Sequence, residues 1–148
     1  MATPTEKLAT SLEALKTLQD AGAVAIRSRE LTRTHRERLL KHGFLQEVIR
    51  GWYIPCRPDE NLGESTAWYA SFWAFCASFL ENRFGQNWSL SPEQSLSLHA
   101  GNWAVPKQLL VRAKKPRNNI TSLPHDTSLL DLRAELPEKK DRTTIENM

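Results

Sequence analysis

Between Trp68 and Leu80 the chain places six aromatic rings in thirteen residues. Trp68, Phe72, Phe75 and Phe79 recur at spacings of four and three, with Leu80 beside them, which is one stripe of a helix. Tyr69, Trp73 and Cys76 widen that stripe until most of the circumference is apolar. Such a helix must be wrapped by other elements, because rings of this size dominate the burial a domain can gain. The stripe therefore reads as core and not as a cofactor pocket. It is interrupted by serine and alanine, and nowhere does the chain approach the ~18 consecutive apolar residues of a membrane span. The start, MATPTEKLAT, lacks the basic and apolar regions of a signal peptide, so a cytoplasmic location is expected.

Charge is distributed unevenly. The net charge is only +3 over 148 residues. From Arg27 to Arg50 there are seven basic and three acidic residues, and from Lys107 to Arg117 five basic and none acidic. The remainder is net acidic, so the net positive charge is localised in two runs. Localised basic surface suits a polyanion; a solvated helix face with no partner is the plain alternative.

The N-terminal part reads as three helices and a hairpin. Leu8, Leu12, Leu15 and Leu18 mark an amphipathic helix over residues 5 to 20, with Thr5 as its cap and Ala21-Gly22 as its end. Ala23 to Ile26 is a short strand or extended entry, and Ser28 to Leu31 a very short helix. Thr34 and Glu37 form a capping-box pattern, placing a third helix from Thr34 to about His42 before Gly43. Leu39 and Leu40 mark its buried side. Thr34, Arg38 and Lys41 lie opposite, and Arg36 falls between the leucines, tucked and paired. Phe44 to Pro55 then reads as a hairpin turning at Arg50-Gly51, where glycine supplies the positive φ of a tight turn.

Helices followed by a hairpin are the order of a winged helix-turn-helix. The fold class expected is α+β: a winged helix-turn-helix over residues 1–57, a linker at 58–63, a small α+β domain over 64–137, and a polar tail at 138–148. In the second domain Ser91, Pro92 and Gln94 mark a helix start, and the helix ends near His99 and Gly101. Strand-like runs follow in KQLLVRA, NNITSLP and TSLLDLRAELP.

The run LTRTHRERLLKHGFLQEVIRGWYIP with LSPEQSLSLHAGNWAVPKQLLVRA resembles the AbiEi type of abortive-infection antitoxin. Gly43, Leu45, Arg50, Gly51 and Tyr53 match that family's G-x-L-x-x-x-x-R-G-x-Y hairpin. Ser91, Ser95, Leu98 and His99 match its following helix loosely, with Gly101 displaced. A closer likeness is to the winged-helix module that precedes Fic domains, over roughly Ala23 to Pro137. The Fic signature H-P-F-x-x-G-N-G-R is absent, and ASFLENR has Ala77 where the inhibitory motif needs Ser or Thr. The resemblance implies a standalone or truncated N-terminal module.

Catalytic and metal-binding patterns are lacking. His35, His42, His99 and His125 show no ligand spacing with each other or with Cys56 and Cys76. His125 to Ser128 contains catalytic residue types without a nucleophile elbow or paired base. No phosphate-binding glycine loop occurs. The expectation is a non-enzyme without catalytic residues, metal or cofactor: a DNA-binding regulator of antitoxin type, autoregulatory, with double-stranded DNA as partner. The alternative is a protein-interaction module restraining a toxin or Fic-domain protein without binding DNA. On the first reading His35 and Arg38 contact bases, while Arg33, Lys41 and Arg50 contact phosphates. Thr34, in the same surface, spends its hydroxyl on the cap. Lys114, Lys115 and Arg117 are secondary phosphate contacts, unless that run only keeps a strand edge soluble.

Overall fold

The computed structural model describes residues 2–58, 66–116 and 118–133. It is an α+β protein with four α-helices and two sheets among the described residues. The chain resolves into two compact units, Met1–Ser71 and Phe72–Met148, and the division falls within the aromatic helix. The expected linker at 58–63 lies outside the described residues apart from Pro58, and the polar tail at 138–148 lies wholly outside them.

The first unit opens with α1, Pro4–Asp20. Its cap is Thr3 and not Thr5: the Thr3 hydroxyl accepts from the Glu6 amide, and Glu6 reaches back to the Thr3 amide. Threonine followed by proline at the first helical position makes Thr3 the better start. After Gly22 come strand β1, Ile26–Arg27, and a single turn of 3-10 helix, Ser28–Glu30. Helix α2 spans Arg33–Lys41, and strands β2, Leu45–Ile49, and β3, Trp52–Pro55, form the hairpin.

The hairpin turns at Arg50-Gly51 with Gly51 at φ +86°, as the sequence requires. A register shift between Glu47 and Ile49 marks a bulge in β2. β1 pairs antiparallel with the outer side of β3, giving a three-stranded sheet in the order β1-β3-β2. Leu15, Ile26, Leu31, Leu39, Leu45 and Tyr53 form the core of this unit. α1, α2 and all three strands contribute a side chain to it, and the short 3-10 turn is anchored by Leu31 just beyond its end.

Helix α3, Thr66–Phe84, is the aromatic helix. Trp68, Phe72, Phe75, Cys76 and Leu80 have no exposed surface, and Phe79 and Trp73 are nearly as buried. Tyr69, expected to widen the buried stripe, instead stands 43% exposed. Phe75 and Phe79 stack with centroids 5.9 Å apart, one helical turn along the stripe.

The second unit continues with strand β4, Trp88–Leu90, which the sequence reading did not anticipate, and helix α4, Pro92–His99. Ser91 caps α4 by accepting from the Gln94 amide, with Pro92 at the first helical position. Strands β5, Gln108–Ala113, β6, Ile120–Ser122, and β7, Ser128–Arg133, complete a four-stranded sheet in the order β4-β5-β7-β6. β5 and β7 run parallel, whereas the other pairs are antiparallel. β5 alternates strictly, with Leu109, Val111 and Ala113 buried and the residues between them exposed. The HDTS stretch proves to be the β6–β7 turn: His125 and Asp126 both take positive φ, and the Thr127 hydroxyl donates to the Pro124 carbonyl at 2.6 Å.

Candidate nucleic-acid interface

The basic run of the first unit is distributed over the 3-10 turn, α2 and the hairpin tip. Leu31 leaves the 3-10 turn extended, and Thr32 stays extended too, so α2 starts at Arg33. Thr32, not Thr34, is the cap; its hydroxyl accepts from the His35 amide at 3.3 Å. The capping-box partner expected for Thr34, Glu37, is engaged elsewhere. Arg33 Nε donates to Glu37 at 2.8 Å across one turn of the helix, on a surface where both side chains are largely exposed. The guanidinium beside it holds the Glu37 carboxyl below its ordinary range. Thr34 thus stands exposed on the second residue of the helix with no capping duty.

His35 and Arg38 are placed differently from the expectation. Arg38 is not projected away from the protein but donates to the Lys7 carbonyl at 3.1 Å and to the Ser11 hydroxyl at 2.9 Å, both on α1. His35 Nδ1 lies 2.8 Å from the same Ser11 oxygen. Ser11 has no exposed surface, so α2 reaches into α1 through one buried hydroxyl that serves two side chains. A serine 2.8 Å from an imidazole would suit nucleophilic chemistry, but a substrate carbonyl has no access to a fully buried oxygen. The arrangement clamps one helix to the other.

Arg36 is tucked, as its position between the leucines implies. It donates to the Ser28 carbonyl at 2.7 Å and to the Leu31 carbonyl at 3.3 Å, with its guanidinium 6.0 Å from the Tyr53 ring centroid. This bond set satisfies carbonyls in and just beyond the 3-10 turn. Arg27 lies over the Trp52 ring at 5.4 Å. The arginines nearest the core thus brace the unit, and the outward cations are Arg33, Lys41 and Arg50. Arg29 on the 3-10 turn and Arg57 after β3 are exposed too. Both are visible in the sequence as members of the basic run or its flank, but no periodicity assigns an isolated residue outside a regular helix to a face.

Lys114 and Lys115 follow β5 and are exposed, whereas Arg117 lies outside the described residues. Among the described residues no three side chains of His, Cys, Asp or Glu converge as a metal site. No described helix is long and apolar enough to cross a membrane. No family model matches the chain, and neither a curated protein nor a solved structure matches it.

Proposed function

We propose that the first unit is a winged helix-turn-helix that binds double-stranded DNA, and that the chain is a regulator of the antitoxin type whose likeness the sequence carries. The observation that supports this reading is the order helix, strand, short helix, helix, hairpin, with β1 completing the small sheet and α2 presenting its outer face beyond the core. In such a module α2 enters the major groove and the hairpin tip lies along the backbone. Thr34, released from capping, takes the base-contacting position at the helix start. Arg33, Lys41 and Arg50 take phosphates. His35 and Arg38 act as positioning residues that hold α2 against α1. Glu37, paired with Arg33, trims the positive charge of the face without reversing it.

The test is a fluorescence-anisotropy titration on a duplex from the region upstream of the gene and on random duplex, over a range of salt. Lys41→Ala and Arg50→Ala each weaken both duplexes and reduce the salt slope by about one. Thr34→Ala narrows the gap between the two duplexes. Folded variants indistinguishable from the parent on both duplexes would sink the reading.

A further inference from the structure

The second unit carries a surface that DNA binding by the first unit does not use. The register of its sheet aligns Leu110 of β5, Leu130 of β7 and Ile120 of β6 side by side on the face opposite Leu109, Val111 and Leu129. Leu132 continues the row along β7, beside Arg112. Ile120 is 59% exposed, Leu132 41% and Leu110 37%. Single exposed leucines are ordinary, but four aliphatic side chains in adjacent register positions form a contiguous stripe. It is bounded on one side by the polar row Gln108, Ser128 and Ser122 and on the other by Arg112 and Ser89.

Exposed cations outnumber acids around this stripe, where the exposed acid among the described residues is Asp126 of the β6–β7 turn. Lys107, Arg112, Lys114, Lys115 and Arg133 are all exposed at its margins. The acidic residue within β5, β6 and β7 is Asp131, which has no exposed surface and shares the buried face with Leu129, 4.0 Å from Arg83 of α3. A second copy of the chain would set arginine and lysine against arginine and lysine, which is costly at an interface. DNA would meet the cations but leave the aliphatic row without a complement. A membrane surface would also meet the cations, but the row is only four aliphatic side chains, holds no tryptophan or phenylalanine and is flanked by the polar row Gln108, Ser128 and Ser122.

We propose that this face docks an acidic amphipathic helix of a partner protein, with a leucine-type seam on the Leu110–Leu130–Ile120 row and flanking Asp or Glu against Arg112, Lys114 and Lys115. A helix seam is one or two side chains wide, as is the stripe, and apolar helix-in-groove contacts gain their specificity from such charged flanks.

The experiment uses the full chain and a labelled synthetic helical peptide with leucines at i, i+3, i+4 and i+7 and glutamates elsewhere, beside a peptide with lysines replacing the glutamates. The glutamate peptide binds saturably and more weakly as salt rises. Ile120→Ser with Leu132→Ser lowers its affinity roughly tenfold or more. Arg112→Glu shifts preference toward the lysine peptide. Both variants replace exposed side chains, and retained circular dichroism and an unchanged urea midpoint show that each still folds. Equal binding of the two peptides, or no saturable binding of either, overturns the proposal. So does a concentration-dependent dimer in sedimentation, or adsorption to phosphatidylserine vesicles, that the double serine variant abolishes. The DNA titration is read separately, so either reading can fail without the other.

Discussion

Cys76 and Tyr53 show what burial does to a single titratable group. Burial pushes the Cys76 thiol far up, because the thiolate would sit in an apolar helix interface without water. Iodoacetamide therefore leaves Cys76 unmodified in the native protein at neutral pH and labels it once denaturant unfolds the chain, which peptide mass spectrometry reads directly. Native labelling of Cys76 would mean that α3 opens far more readily than its packing implies. Tyr53 is also raised, by burial first and then by the negative charge of Glu47, its cross-strand neighbour. The unfolded phenol ionises near pH ~10 while the folded one stays neutral. Stability linked to Tyr53 is thus complete below that pH and is lost as pH rises through the folded value. Tyr53→Phe should flatten the alkaline fall in urea midpoint above pH ~10, and an unchanged fall would place the linkage elsewhere.

At the level of elements, the contact between α1 and α2 decides what Arg38 does. Removing its side chain deletes hydrogen bonds to Lys7 and Ser11 and leaves the buried hydroxyl with one partner fewer. Arg38→Ala should cost about 1–3 kcal/mol of unfolding free energy in a denaturant titration, with sequence preference on DNA unchanged. A variant of full stability but relaxed preference would return Arg38 to the groove. This contact was not legible in the sequence. Periodicity places Arg38 opposite Leu39 and Leu40, but α1 packs against that flank of α2 through tertiary packing that no local pattern reports. The third helix was legible in its extent to within one residue. Its cap was not, because Thr32 and Thr34 both precede a helical run, and the extended exit from the 3-10 turn favours the earlier one. Ser91 was legible since capping hydroxyl and proline agree. β4 was not: three residues ending at a cap leave no period to count.

For the whole molecule, the parallel pairing of β5 with β7 sets an order of events in time. These strands cannot meet until residues 114–127 have closed a loop, and β6 lies inside that loop. The β6–β7 hairpin needs only its local turn, at His125 and Asp126, where both residues must hold positive φ. Hairpins form in ~1–10 μs, whereas non-local parallel pairing is slower because chain entropy is lost before contacts repay it. The hairpin should then be formed in the rate-limiting transition state of the second unit and β5 should join after it. Asp126→Gly, which removes the strain of positive φ, accelerates refolding in stopped-flow experiments. Leu109→Ala on β5 chiefly accelerates unfolding. Should Leu109→Ala slow refolding as much as it destabilises, β5 is already docked at the barrier, and the nucleus is the parallel pair itself.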